Sequence, residues 1–553
     1  MPRAKKYVTK LQPVTGDDLE DQLSRTVIIH PGSRYLRILR PSDTEAVVQS
    51  HCIARKQRLT NGQASVSRAS SSSEVFRSLD SVASTTDFKQ AAASAETWLK
   101  GNSKEEKTLG RTYCSFDAKE SEETTPVTKE YVVGNEALDV GALHSNFVLS
   151  WPIRYGHFNL HDGPGGSRSA VATDIENIWD WVLTNELGIT RKLRGSHRAV
   201  LVIPDIYNRE DVRSLVEILL TNLDFFAVFV VLENVASMFG ACIPSACVVD
   251  VGAEKTVVSC VDDGISLAET RLLMHCGGDD ITRLTNWYLQ QKVRSFNLKI
   301  ASMTDWFKMD AIKKALVHFD FTQSGSNDID VGLPSPDREE SLVMKLPHDF
   351  CRFPGLALFQ EGLVSFPPNT QQTFTFQYYP GSYDDVSGTE GRAKRPATKK
   401  PTTAKPENTE ADTTINPENI FDTIPENNIP EEKADLDTMK IMKLHEAIYW
   451  SISRCATEEQ QKRMLKNILV VGGGLVLFPG ALDFLTKRLE EVVPAGTDLN
   501  VITNSREIPG DLHAVKGASV MAALETVQYL WITKEEWIRT GIKIIREKSS
   551  FGW

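Results

Sequence analysis

At 553 residues the chain is too long for a single hydrophobic core, so two large lobes or several subdomains are expected. Its 41% hydrophobic and 24% charged residues suit a globular protein, and no apolar run approaches the ~18–20 residues of a membrane span. A net charge of -11 excludes a protein that coats nucleic acid over its whole surface, while leaving room for a local basic patch. Residues 1–25 carry Lys5, Lys6 and Lys10 without an apolar signal core and read as an N-terminal extension. None of the eight cysteines forms a C-x-x-C pair, so neither a zinc site nor a redox motif is indicated. Reduced thiols in the cytosol or nucleus are expected instead.

Residues 26–40 predict a hairpin: the β-branched run Val27-Ile28-Ile29, the turn His30-Pro31-Gly32-Ser33-Arg34, then Tyr35-Leu36-Arg37-Ile38. Residues 61–97 are rich in Ser, Ala and Thr, lack sustained periodicity, and read as an insertion or mobile loop. A helix is predicted at 174–187 with Asp174 as N-cap and Ile175, Ile178, Trp179 and Val182 on its apolar face. The wholly apolar run 199–204 reads as a covered strand, 209–223 as a helix, 226–232 as another buried strand, and 233–240 as a helix start. A second hairpin follows: Cys247-Val248-Val249-Asp250, the turn Val251-Gly252-Ala253-Glu254-Lys255, then Thr256-Val257-Val258. It repeats the first, with Asp250 where the first has His30. Helical patterns run from 279 to 319. Residues 325–440 predict a largely disordered insert, although the phenylalanines of 350–376 could dock on a surface. A helix at 439–454, a strand ending in Gly472-Gly473-Gly474, a helix at 480–491, a strand at 499–503 and closing helices complete the chain. Strands alternating with helices, some strands fully apolar, argue an α/β fold, and the repeated hairpin argues a duplicated domain.

A paired strand-turn-strand can clamp a phosphate chain between two turns. Gly32, Ser33 and the amides of 252–256 are the candidate phosphate donors. Asp250 is the candidate acid for a magnesium ion, acting through water. Two ordinary hairpins are the plain alternative, and their likeness within one chain weighs against it. Gly472, Gly473 and Gly474 let the backbone approach a ligand, or simply make a tight strand-to-helix turn. Glu233 can position water near phosphates, but stabilising the start of its own helix is the favoured reading. One of Lys313 and Lys314 can reach a ribose, although a solvated pair is the commoner outcome. The cluster Arg392, Lys394, Arg395, Lys399, Lys400 and Lys405 reads as a nuclear localisation signal, a DNA-phosphate contact or a solubilising tether.

Several motifs in order resemble actin. They are Trp151-Pro152-Ile153-Arg154-Tyr155-Gly156, Leu232-Glu233-Asn234-Val235-Ala236-Ser237-Met238-Phe239, and Val249-Asp250-Val251-Gly252. Gly278-Asp279-Asp280-Ile281-Thr282, Leu477-Phe478-Pro479-Gly480 and Lys516-Gly517-Ala518-Ser519 continue the series. Within that family, His30-Pro31-Gly32-Ser33 and Leu36-Arg37-Ile38, the two inserts, and the Phe551-Gly552-Trp553 end look like the actin-related protein 8 family. The resemblance implies an actin fold: duplicated ribonuclease-H-like, actin-like ATPase domains in two lobes and four subdomains, with two large inserts. The first lobe would span 26–245 with an insert at about 53–128, and the second 246–553 with an insert at about 325–440.

For the site, the resemblance implies ATP, with magnesium, held by Gly32, Ser33, Arg34, Asp250, Gly252, Lys255, Thr256, Gly278, Lys313, Gly472–Gly474 and Phe478. Actin's first phosphate loop has an acid where this chain has His30, its water-positioning glutamine aligns with Glu233, and its second-loop acid aligns with Ala253. Those departures imply a structural nucleotide and weak or absent ATPase activity rather than an enzyme. An ATP-hydrolysing kinase or chaperone-type relative is the alternative. The family is nuclear and belongs to the INO-eighty class of chromatin remodellers, with roles in transcription regulation and DNA repair. The implied partners are actin, actin-related protein 4, the helical HSA segment of the remodeller motor, linker DNA, and the histones of the nucleosome. No membrane is implied, and the insert after 311–319 argues against filaments.

Overall fold

The computed structural model describes residues 16–56, 85–102, 129–143, 146–292, 303–320, 329–335, 338–346, 349–360, 362–363, 442–503 and 508–553. All of them belong to one compact unit. Two mixed sheets are built on one plan. In the first, the antiparallel pair Thr26–Pro31 and Tyr35–Leu39 lies next to Arg198–Ile203 and then Ala227–Leu232, both added parallel. In the second, the antiparallel pair Ser245–Val251 and Thr256–Asp262 lies next to Ile468–Val471 and then Val501–Ile502, again parallel. The central strands are buried throughout, because long β-branched runs such as Ala227–Leu232 have no polar face to turn to water. The result is the duplicated α/β architecture expected from the repeated hairpins, in the actin fold that the resemblance implied.

Chain order and architecture part company at the end. Ile532–Thr533 pairs antiparallel with Ala227–Leu232 and so extends the first sheet. The helix His513–Ala523 packs across Glu233–Gly240, and both crossing points are glycines. A Cβ on Gly517 would lie 1.7 Å from the Ala236 carbonyl oxygen, and one on Gly240 would lie 2.3 Å from that of His513. Backbone-to-backbone contact of this kind fixes the helix that links the first sheet to the second hairpin.

Three expectations need correction. The helix predicted from Asp174 begins at Arg168, with Ser167 as its N-cap accepting from the Ala170 amide. Asp174 is instead buried mid-helix and paired with Arg55. Part of the Ser/Ala-rich stretch is the helix Thr86–Asn102, which buries Phe88, Ala91, Ala92, Ala95 and Leu99 at helical spacing. Alanine carries so little apolar signal that the stripe was hidden among serines. The insert after 325 begins with an ordered hairpin, Ile329–Ser335 against Arg338–Leu346. The segment Pro354–Leu358 then docks with Phe353 and Phe359 in the core of the second sheet. The basic loop carrying Arg392 through Lys405 lies outside the described residues. None of the described cysteines forms a disulfide, and among them only Cys242 is exposed. No helix among the described residues is long and apolar enough to cross a membrane.

Candidate functional site

The two hairpin turns close identically. Gly32 donates to the Tyr35 carbonyl at 3.0 Å, and Gly252 donates to that of Lys255 at 2.8 Å. The same carbonyls explain the glycines: a Cβ would lie 2.8 Å from Tyr35 O in the first turn and 3.1 Å from Lys255 O in the second. The Gly472–Gly474 turn is pinned on the second hairpin. Gly472 has φ of +86° and would put a Cβ 2.3 Å from the Val251 carbonyl oxygen, while Gly474 donates to that oxygen at 2.8 Å. Gly278, opening the helix Gly278–Lys292, donates to Gly252 O at 2.9 Å. Three backbone segments thus converge on one point, and only hydrogen side chains permit it.

A cavity of 260 Å³ lies between the hairpins. It is lined by Gly32, Ser33, Arg34, Asp250, Gly252, Lys255, Gly278, Lys313 and Gly472–Gly474 among the residues expected from sequence. Thr256 and Phe478 do not line it. The Thr256 hydroxyl donates to the Cys276 carbonyl at 2.8 Å, and the Phe478 ring packs 6.1 Å from that of Phe319 in the core. The adjacent Leu477 faces the cavity instead. Lys313 is not the solvated lysine expected of a helix pair. It is buried and donates to Gly278 O at 3.0 Å and to Thr282 Oγ1 at 2.8 Å, while Lys314 is half-exposed on Asp310.

The charges around the cavity form linked pairs. Glu233 does more than open its helix: His30 Nε2 lies 2.8 Å from one carboxylate oxygen, and Lys255 Nζ lies 2.6 Å from the other. Burial alone would raise the Glu233 carboxyl, but the Lys255 ammonium and the His30 ring hold it well below its usual range. Asp250 beside it is pushed well above its usual range, by burial first and by the Glu233 carboxylate second. Arg34 projects from the first turn into a cage. It bonds Asp279 at 2.8 Å and Glu254 of the second turn at 3.0 Å, with the Trp151 ring 4.7 Å from its guanidinium carbon. Glu254 also accepts from Arg154 at 2.5 Å and from the Tyr155 amide at 3.1 Å. Burial alone would lower Arg34, but Asp279 and Glu254 override it and hold the guanidinium firmly charged. Arg37 pairs with Asp511 at 3.0 Å.

Asp250 lines the cavity without a cation partner among the described residues, and it is the carboxylate that could meet a magnesium ion through water while phosphates and waters supply the other ligands. Magnesium asks for about six oxygens in octahedral array. Here Glu233 is taken by His30 and Lys255, Asp279 by Arg34, Asp310 by two lysines, and Asp511 by Arg37. Among the described residues no group of three or more His, Cys, Asp or Glu is placed to hold a metal ion. The cavity also offers cationic and backbone donors. Three buried polar atoms on the first hairpin, His30 Nδ1, Arg34 Nη1 and Arg37 Nε, have no hydrogen-bond partner among the described residues. Sequence reasoning missed Trp151, Trp306 and Tyr35 as cavity walls, because nothing in their local spacing marks them.

The sequence matches the Actin family over residues 24–324 and 401–550. It is 30% identical to an Actin-related protein 8 of Aedes aegypti over 560 residues, covering 96% of this chain and 98% of that one. It is 31% identical to an Actin-related protein 8 of Bos taurus over 584 residues, covering 95% and 92% respectively. A solved structure described as human actin-related protein Arp8 in its ATP-bound state superposes with a TM-score of 0.72 at 28% identity, covering 98% of this chain and all of that one.

Proposed function

Given that the chain belongs to the actin family, and within it to the actin-related protein 8 relatives, we propose that it is a nuclear scaffold subunit of an ATP-dependent chromatin-remodelling complex. ATP would lie in the cavity between the hairpins as a structural ligand, with little or no hydrolysis. The human relative described as ATP-bound supports the choice of nucleotide. The observation that carries the reading is Glu233. It is the carboxylate at the position where water would be oriented, and it is held from both sides by His30 and Lys255. A carboxylate so neutralised is a poor general base. With chemistry set aside, the proposed work falls to the outer faces and inserts. These would array the chain with actin and actin-related protein 4 on the HSA helix of the motor, and meet linker DNA and histones, the basic cluster 392–405 among the contacts.

Ligand linkage tests the structural role. ATP at about 100-fold its Kd should stabilise the fold by about 2.7 kcal/mol, seen as a raised melting temperature, without sustained phosphate release. Steady turnover that Asp250→Ala abolishes would instead favour the ATP-hydrolysing kinase or chaperone-type alternative. For DNA, deleting 385–435 should flatten the salt dependence of linker-DNA affinity, and an unchanged slope would exclude the loop.

A further inference from the structure

We propose that His51 aims the first hairpin turn at the nucleotide, holding the Gly32 and Arg34 carbonyls back so that the Ser33 and Tyr35 amides face the phosphates. The inference rests on the reading of the cavity as a nucleotide site, and it names a positioning residue that does not itself touch the ligand.

His51 is fully buried, one residue past the strand Val47–Ser50, and it grips the turn twice. Its backbone amide donates to the Arg34 carbonyl at 2.9 Å, and its ring Nδ1 donates to the Gly32 carbonyl at 2.8 Å. The partners leave the ring one way to do this. A carbonyl only accepts, so Nδ1 carries the proton. The Trp179 indole, 3.3 Å from Nε2, only donates, so Nε2 is bare. Trp179 is itself fully buried on the helix Arg168–Asn185. One neutral tautomer in one orientation is therefore fixed from the core of the first sheet.

The consequence for the turn follows from the peptide unit. In a planar trans peptide the C=O and the next N–H point to opposite sides. The Gly32 carbonyl shares its plane with the Ser33 N–H, and the Arg34 carbonyl with the Tyr35 N–H. Tying both carbonyls to His51 turns both amides the other way, and Ser33 and Tyr35 line the cavity. The Gly32 amide is already spent on the Tyr35 carbonyl, while the Ser33 amide makes no backbone hydrogen bond among the described residues. Amides converging from one turn make an anion-binding hollow, and setting their aim beforehand spares the ligand the cost of ordering them. The second turn has the same backing in another form. There the Gly252 carbonyl accepts from the Gly278 amide at 2.9 Å and the Ala253 carbonyl from the Asp279 amide at 2.8 Å. What a helix start does for the second turn, a single histidine does for the first.

Calorimetric titration of the full chain with ATP and with adenosine tests this. His51→Leu, which keeps bulk and loses the ring donor, should weaken ATP at least about tenfold and adenosine less than about threefold, because only the phosphates meet the turn. His51→Asn, whose side-chain nitrogen can stand where Nδ1 does, should restore ATP affinity to within about threefold of the native chain. Equal weakening of ATP and adenosine, or an Asn variant no better than the Leu variant, overturns the inference while leaving the nucleotide site intact. Hydrogen exchange of the unaltered chain answers the question even if both variants fail to fold. ATP should protect about two amides within residues 33–35, and ATP binding without protection there overturns the aim of the turn. Absence of ATP binding to the unaltered chain overturns the nucleotide reading and the inference together.

Discussion

The hairpin at residues 26–39 and the hairpin at residues 245–262 close their turns with the same glycine-to-carbonyl hydrogen bond and stand at the same place in two like-ordered sheets. Their side chains differ. The first supplies His30 and Arg34, and the second supplies Asp250, Glu254 and Lys255. The pairs are complementary across the gap: Arg34 bonds Glu254 directly, and His30 and Lys255 share Glu233. Duplication preserved the backbone of the clamp, while divergence let each copy answer the charge of the other. A clamp joined to itself in this way suits a joint better than a site of turnover.

The most damaging break should come at Glu254, which serves Arg34, Arg154 and the Tyr155 amide while buried. Glu254→Ala should cost about 3–5 kcal/mol in urea unfolding, since it strands the Arg154 guanidinium and leaves Arg34 with Asp279 alone. Arg34→Ala should cost less, because Glu254 keeps Arg154. Equal costs would mean that the junction does not depend on this acid.

Acid should strike the first hairpin next. His51 Nδ1 donates to the Gly32 carbonyl at 2.8 Å, and its Nε2 accepts from Trp179 Nε1 at 3.3 Å, which requires the neutral ring. Burial pushes its pKa from 6.5 down to about 4. The folded state therefore resists a proton that the unfolded chain accepts, so stability is full above pH 6.5 and falls as pH drops towards 4. The loss is about 3 kcal/mol, read as the difference in acid unfolding between the native chain and His51→Gln. Asp280, near the second hairpin, has the opposite sign. Burial raises it to about 6, so falling pH favours the folded form there. If His51→Gln leaves the acid limb unmoved, the contrast is wrong.

The two turn glycines offer a finer comparison. A methyl at Gly32 meets a carbonyl at 2.8 Å and one at Gly252 meets its counterpart at 3.1 Å. Gly32→Ala should cost about 2 kcal/mol and Gly252→Ala about 1 kcal/mol, and the reverse order in thermal unfolding would show that the second turn is the tighter. The smallest effect is expected at Asp250. Its carboxyl is held towards the neutral form, so Asp250→Asn should shift stability by no more than about 1 kcal/mol at pH 7. A larger loss would show that it carries a charge the clamp uses.

Much of the frame was legible in the sequence. The β-branched runs around Gly32 and Gly252, the apolar strand before Gly472, and the actin-like motif order each reflect a local rule of strand propensity, turn chemistry or helix start. Reading was weaker where the local signal was faint, as in the alanine stripe of Thr86–Asn102, or ambiguous, as at Asp174, whose residue type suits a cap as well as a buried ion pair. Side-chain direction misled at Thr256 and Phe478, one turned to a backbone carbonyl and the other to the core.

By itself the sequence determined the two hairpins, the glycines at their turns, the family, and the loss of an acid at His30. Strand alternation and close backbone approach are set within a few residues, so a short window is enough to see them. Tertiary structure alone decided what replaced the acid. Arg34 finds Asp279, His30 finds Glu233, and Glu233 finds Lys255 only because the two sheets bring their turns to one cavity. Charges act through space and dielectric rather than along the chain, so their pairing is settled where distant segments meet.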